Sequence, residues 1–326
     1  MVGYRTAAAV LTAALLSACG GDGDGDAAGD GRISVVASFA PLAEVAQRVG
    51  GARVAVTNLT APGAEPHDLE LTPSGVDALE DADLVVALGR GFQPAIEEVA
   101  ARRDGPTVVV LDALDVGPGE VADAHGHGNE GDDGHDDDGG GDEHGGDGEG
   151  VVDPHVWLDP TKTAAIVDLV EDALAEASPA DRAAFTRNAA TLREELRALD
   201  AEFARGLADC ERRLLVTAHA AFGWLAARYG LEQEAIAGLE PDQEPGAQRL
   251  AELADLARAE GVTTVFTETL VSAEVAETLA REAGGLRTAV LDPLEGFTEE
   301  QVAAGADYFS VMRRNLATLR AALGCR

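Results

Sequence analysis

The sequence is poor in positive charge and in methionine. Lys and Arg number 24 against 59 Asp and Glu, which gives a formal net charge of −35. Nucleic acids and anionic membrane surfaces are bound by clustered Lys and Arg, so this balance argues against both partners. Met1 and Met312 are the two methionines, too few for the thioether ligands of a Cu(I) site. The net negative charge favours a cation as the partner, and the shortage of methionine indicates a cation other than Cu(I).

Long apolar runs are also lacking, because no segment approaches the about 20 residues that a membrane-spanning helix needs. The apolar run at 7–16 follows Arg5 and ends in Leu16-Ser17-Ala18-Cys19, which resembles a bacterial lipobox. We therefore predict a signal peptide at 1–18, lipid attachment at Cys19 and a flexible Gly/Asp tether at 19–31. The protein would be exported and anchored at the outer face of the cytoplasmic membrane. An ordinary signal peptide with an incidental cysteine is the alternative.

Cysteine is scarce as well, and Cys210 and Cys325 remain once Cys19 is set aside. In an oxidising compartment an even pair predicts a disulfide. Two free buried thiols are the alternative.

Two α/β lobes are predicted from the alternation of β-branched runs with Ala-rich helical patterns. We place the N-terminal lobe at 32–178 and the C-terminal lobe at 210–326, with a mostly parallel sheet flanked by helices in each. The predicted strands are 33–37, 54–58, 84–88, 107–111, 214–217, 234–237, 263–267 and 286–291. The predicted helices in the lobes are 41–50, 73–81, 93–103, 220–229, 246–260, 272–283 and 298–323.

One long helix at 179–209 is predicted to link the lobes. Ser178 would cap it and Pro179 would take its first position. Apolar residues then recur at three- and four-residue steps as far as Phe203, without an internal Gly or Pro before Gly206.

Histidine is unevenly placed. Four of the seven lie in an acidic, Gly-rich segment at 120–150, which we predict to be a disordered loop: His125, His127, His135 and His144. The other three are His67, in a turn-rich loop after the second strand, His155, between two Asp-Pro pairs, and His219, directly after the strand at 214–217. Asp292 and Glu268 also follow predicted strands. Ligands bind at the carboxyl ends of strands in such sheets, so these residues are candidate metal ligands.

Three imidazoles and one carboxylate form a stable tetrahedral shell for Zn²⁺. Two imidazoles with two carboxylates would suit Mn²⁺ better, so a histidine at position 219 favours zinc.

These motifs resemble those of a known family, the metal-binding lipoproteins of bacterial ABC importers for zinc and manganese (ZnuA/TroA-like, cluster A-I). The matching stretches, in family order, are Gly63-Ala-Glu-Pro-His67, Asp153-Pro-His-Val-Trp-Leu-Asp-Pro160, Val216-Thr-Ala-His-Ala-Ala-Phe-Gly-Trp224 and Leu291-Asp-Pro293. The resemblance implies two lobes joined by a long helix, with metal in the cleft between them.

The resemblance also implies the ligand set His67, His155, His219 and Asp292, with Glu65 and Glu268 as alternates for the carboxylate. Manganese members of the family carry Glu where this chain has His219, which again favours zinc. The four histidines of the 120–150 loop would then be accessory, low-affinity zinc ligands, and plain solvated disorder is the alternative.

The function expected from the sequence is capture of Zn²⁺ as a transported ligand, without catalysis. The protein, expected to be monomeric, would deliver zinc to a membrane permease that is driven by an ATPase subunit. A manganese-binding homologue or a metal-binding adhesin is the alternative. A zinc hydrolase is less favoured, because it needs an open coordination position and the chain has no His-Glu-x-x-His motif.

Overall fold

The computed structural model describes residues 31–117 and 152–326. The predicted signal peptide, Cys19, the predicted tether up to residue 30 and the four histidines of the acidic segment at 120–150 lie outside these ranges. Among the described residues, no helix combines the length and the apolar character needed to cross a membrane.

The N-terminal lobe is built on a parallel sheet in the order β2-β1-β3-β4. Its elements are β1 (Ile33–Ala37), α1 (Ala40–Gly50), β2 (Val54–Asn58), α2 (Pro73–Asp81), β3 (Leu84–Ala87), α3 (Pro94–Ala100), β4 (Thr107–Val109) and the short α4 (Val110–Ala113). All four residues of β3 are at most 1% exposed. Helices cover both faces of a parallel sheet, which is why this strand is a continuous apolar run in the sequence.

The C-terminal lobe repeats this design with a parallel sheet in the order β6-β5-β7-β8. Its elements are β5 (Leu214–Thr217), α7 (Gly223–Tyr229), β6 (Glu232–Ala235), α8 (Ala247–Ala259), β7 (Thr264–Thr267), α9 (Glu274–Glu282), β8 (Arg287–Val290), α10 (Glu299–Ala303) and α11 (Tyr308–Leu323). The predicted fold class, two α/β lobes with parallel sheets, is confirmed.

Two consecutive helices, α5 (Pro160–Ala177) and α6 (Arg182–Gly206), connect the sheets. At 1.5 Å per residue, the 25 residues of α6 span about 37 Å. Its buried face consists of Phe185, Ala189, Leu192, Leu196, Leu199 and Phe203. This face packs on α1 and α5 at the N-terminal side and on α11 at the C-terminal side. A single rigid helix therefore contacts both lobes.

The linking helix begins later than the sequence pattern predicts. Ser178 ends α5, where its backbone N–H donates to Leu174 O at 2.9 Å, and Asp181 rather than Ser178 precedes the first turn of α6. Pro179 therefore lies in the turn between two helices. The helix α5 itself was not predicted, although Asp159 caps it by accepting from Thr161 N at 2.7 Å.

Two further elements differ from prediction in the C-terminal lobe. The expected helix at 298–323 is divided, because Gly305 takes a positive φ of 71° and Asp307 starts a new helix by accepting from Ser310 N. Strand β6 lies two residues earlier than expected, at Glu232–Ala235.

A disulfide joins Cys210, after α6, to Cys325, after α11, and this prediction is confirmed. Backbone hydrogen bonds from Arg212 N to Leu323 O at 3.1 Å and from Arg326 N to Asp209 O at 2.9 Å reinforce the junction. The chain end is thus fixed to the start of the second lobe.

Candidate metal centre

The three histidines outside the acidic 120–150 segment converge on one point between the two sheets. His67 lies in the connection from β2 to α2, and His155 precedes a 3₁₀ turn at Val156–Leu158 that leads into α5. His219 lies two residues beyond the end of β5, and Glu295 lies five residues beyond the end of β8. One ligand atom from each of these four residues lies within 4.8 Å of the others.

The distances within this cluster are short and similar. Glu295 Oε1 lies 3.3 Å from His67 Nε2, 3.1 Å from His155 Nε2 and 3.2 Å from His219 Nε2. The Nε2 atoms of His155 and His219 are 3.4 Å apart. All the atoms that meet here are potential metal donors, so the cluster presents three imidazole nitrogens and one carboxylate oxygen to a common centre.

The cluster is closed to solvent. The side chains of His155 and His219 are 0% exposed, that of Glu295 is 2% exposed and that of His67 is 3% exposed. Aromatic rings wall the N-terminal side: Phe92 packs edge-on against His67 at 4.5 Å between centroids, and Trp157 lies 5.2 Å from His155. A group bound here would be screened from water.

Outer carboxylates set the orientation of two of the imidazoles. His155 Nδ1 lies 2.8 Å from Asp153 Oδ1, and His219 Nδ1 lies 2.7 Å from Glu268 Oε2. A carboxylate on one ring nitrogen fixes the tautomer and directs the other nitrogen toward the metal. In both residues that other nitrogen is the Nε2 atom in the cluster.

Opposite charges dominate the electrostatics of the cluster. Burial lowers the pKa of His219, but the charges of Glu268 and Glu295 outweigh burial and hold that pKa well above 6.5. Burial raises the pKa of Glu295, but the charge of His219 and hydrogen bonds from all three imidazoles hold it well below 4.5. The pKa of His155 is raised in the same way, since burial is outweighed by Asp153 and Glu295. Without a metal, protons on His155 and His219 are favoured beside the buried carboxylate.

Asp292, the expected fourth ligand, does not join the cluster. Its Oδ1 accepts from Leu294 N at 2.9 Å, and its Oδ2 accepts from Thr269 Oγ1 and Gln301 Nε2, each at 2.9 Å. Every oxygen of this carboxylate is therefore engaged within the C-terminal lobe. Leu294 takes a positive φ of 59°, and the resulting bend carries the next residue, Glu295, into the cluster.

The two alternates take other places. Glu65 accepts backbone N–H groups of its own loop, from His67 at 3.0 Å and Asp68 at 3.3 Å, and burial raises its pKa to about 7. Glu268 accepts from the backbone N of His219 at 3.0 Å as well as facing its ring. Both carboxylates thus hold a cluster histidine from outside.

Glu295 was missed by sequence reasoning, although the signal was present. It lies in the same connection after β8 as Asp292, three residues further along, and the rule for carboxyl ends of strands applies to both. The sequence alone does not indicate which carboxylate of such a loop turns inward.

The fold and the cluster together define a class, the two-lobed solute-binding proteins of the ZnuA/TroA-like type. The family model described as "Zinc-uptake complex component A periplasmic" (ZnuA) matches residues 35–322. The chain belongs to this family.

Relatives with established names support the same assignment. The zinc-binding protein AdcA of Streptococcus pyogenes serotype M6 is 37% identical over 302 residues, which cover 89% of this chain and 56% of AdcA. The chain thus spans about half the length of this relative. The high-affinity zinc uptake system protein ZnuA of Bacillus subtilis is 33% identical over 315 residues, covering 95% of this chain and 94% of that protein.

A solved structure shows the same architecture. The Zn(II)-bound ZnuA-like domain of Streptococcus pneumoniae AdcA superimposes with a TM-score of 0.69 at 33% identity, covering 90% of this chain and 99% of that domain.

Proposed function

We propose that this protein is the zinc-binding component of an ABC-type metal importer and that it captures Zn²⁺ with His67, His155, His219 and Glu295. The observation that carries the proposal is the size of the cluster. A tetrahedron with metal–ligand distances of about 2.0–2.1 Å has corners about 3.3–3.4 Å apart. Four of the six donor separations, 3.1–3.4 Å, are close to those edges.

The donor set supports zinc over manganese. Three imidazoles with one carboxylate suit a borderline-soft ion, whereas Mn²⁺ prefers sites richer in oxygen. The zinc-binding names of the relatives point the same way.

Binding without catalysis is supported by the number of protein donors. Catalytic zinc sites keep one coordination position for water or substrate, whereas closed sites with four protein ligands are typical of binding. Here four protein donors lie within 4.8 Å of one another, and all four side chains are buried.

Delivery follows from the family. We propose that the loaded, monomeric protein docks on a membrane permease driven by an ATPase subunit, in keeping with the family description of a zinc-uptake component. We further propose export and lipid anchoring through Cys19, which is supported by the lipobox-like sequence and by a Streptococcus pneumoniae relative named as a zinc-binding lipoprotein. The 120–150 segment, with His125, His127, His135 and His144, would collect zinc weakly near the site.

Metal titration of the apoprotein with chelator competition tests this function. We expect zinc to bind far more tightly than manganese, and His219→Ala to weaken zinc binding at least about 100-fold, since loss of even an outer partner costs 10–100-fold. The matched control, His144→Ala, should leave the tight site unchanged. Micromolar or weaker zinc binding by the unaltered protein, or no effect of His219→Ala, would contradict the proposal.

A further inference from the structure

The outer partner of the third imidazole comes from the opposite lobe. His67 belongs to the N-terminal lobe, yet its Nδ1 lies 3.1 Å from Oε2 of Glu240, in the connection between β6 and α8 of the C-terminal lobe. His67 is 3% exposed and Glu240 is 49% exposed. A carboxylate at the protein surface thus faces the buried side of a cluster residue.

The two other imidazoles are held differently. Asp153 lies two residues from His155 in the same segment, and Glu268 follows β7, the neighbour of the strand that precedes His219. Those pairs lie within one lobe and do not depend on the contact between lobes. The His67–Glu240 pair forms only where the two lobes meet.

The local backbone ties Glu240 to the segment that carries His219. Ala220 N donates to Gly238 O at 2.8 Å, and Ala237 N donates to Ala218 O at 2.9 Å. The backbone that precedes Glu240 is therefore hydrogen-bonded to the segment that carries His219.

Among the described residues, Glu240 carries the only carboxylate within ion-pair distance of His67 Nδ1. The pair is within ion-pair distance, although its angles are not those of a hydrogen bond, and the Nδ1 atom is buried without another partner among the described residues. Metal-binding histidines almost always have such a partner on the second ring nitrogen, and it sets the orientation and basicity of the ligand.

We propose that Glu240 is a positioning residue that orients His67 from across the lobe boundary and slows the release of bound zinc. This inference rests on the proposed function. Glu240 reaches His67 across the contact between the lobes, so it stabilises the arrangement in which the lobes are in contact and contributes little to the first encounter with the ion. Removing the charge of Glu240 should therefore increase the rate at which zinc dissociates.

The test compares Glu240→Gln and Glu240→Ala with Glu244→Gln, a control in the same connection whose side chain is exposed. Zinc release is followed in stopped flow after mixing the loaded protein with excess chelator. We expect release to accelerate about 10-fold in both Glu240 variants, with the association rate changed less than about 2-fold. The control should match the unaltered protein.

The visible absorption spectrum of the Co²⁺-loaded protein supplies a second readout, because its bands depend on ligand orientation. We expect a changed spectrum in the Glu240 variants and the original one in Glu244→Gln. An unchanged release rate, an equal change in the control, or faster release with the original cobalt spectrum would overturn the proposed role. If the unaltered protein binds zinc tightly and the Glu240 variants release it at the same rate, this inference alone is overturned. If the unaltered protein itself binds zinc weakly, the proposed function is overturned.

Discussion

At the scale of single residues, the candidate site consists of three histidines and one of two neighbouring buried carboxylates. The three histidines could be singled out because each stands in a motif or directly after a strand. Asp292 and Glu295 share one connection and are both buried, so composition and spacing do not separate them. The distinction comes from the positive φ of Leu294 and from the donors that occupy Asp292, neither of which is visible in the sequence.

The two carboxylates should respond differently to truncation. Glu295→Ala removes a proposed ligand, so we expect zinc affinity to fall at least about 100-fold, beyond the range for outer partners. Asp292→Ala leaves the N–H of Leu294 and the amide of Gln301 without their acceptor, at a cost of about 1–3 kcal/mol for each donor that stays buried. Its main effect should therefore be on the stability of the apoprotein.

Chelator competition and thermal unfolding of the apoprotein measure the two effects. A larger loss of zinc affinity in Asp292→Ala than in Glu295→Ala would return the ligand role to Asp292. Thr298→Ala, which removes the hydroxyl that accepts from Gln301 N at the start of α10, serves as the control for general disturbance of this region.

At the scale of elements, all eight strands of the described residues were predicted to within two residues, because β-branched runs bounded by turn residues are typical of strands. Strands β1, β2 and β5 were predicted with their observed bounds. Edge strand β6 was displaced, since Ala235 alone among its four residues is buried and the apolar signal lies beyond it. Helix α5 was overlooked although Asp159 and Pro160 mark its start in the sequence.

The disulfide at the ends of α6 and α11 should affect stability and not zinc binding. It closes a loop with a sequence separation of 115, for which the chain-entropy model gives about 4–5 kcal/mol. Cys210 precedes β5 and His219 follows it, so the bond and the metal site lie at opposite ends of this strand.

We therefore expect the Cys210→Ser/Cys325→Ser variant to unfold at lower denaturant concentration with its zinc affinity within about 2-fold of the original. Equilibrium denaturation and chelator competition supply the two numbers. A large fall in zinc affinity at unchanged stability would show that the bond acts on the site instead.

At the scale of the whole molecule, the site exists because two similar lobes bring donors to one point. His67 and His155 come from the first lobe and its connection, and His219 and Glu295 come from the second. Trp157 Nε1 donates to Pro293 O at 2.7 Å, and Gly63 N donates to Phe297 O at 2.8 Å, so both histidine-bearing segments of the first lobe also contact the loop that carries Glu295. Metal binding and the contact between lobes are thus parts of one equilibrium.

Protons and zinc should compete for the imidazoles. A change in pH should therefore have opposite effects on the stability of the apoprotein and on its affinity for zinc. The pKa values of His155 and His219 lie above 6.5, so their contribution to apoprotein stability is complete below 6.5 and is lost as pH rises through the folded values. The pKa of Glu295 lies below 4.5, so its contribution is present above 4.5 and is lost as pH falls through the folded value. These groups therefore stabilise the apoprotein most between pH 4.5 and 6.5.

Zinc requires neutral imidazoles, so its binding should strengthen over the range in which the apoprotein loses this contribution. We expect the zinc-induced rise in unfolding temperature to be larger at about pH 8 than at about pH 5.5, and zinc binding near pH 7 to release at least about one proton. Calorimetry in buffers of different ionisation enthalpy counts the protons, and His219→Ala should release fewer. Binding without proton release near pH 7 would show that the imidazoles are already neutral and that their carboxylate partners do not hold protons on them.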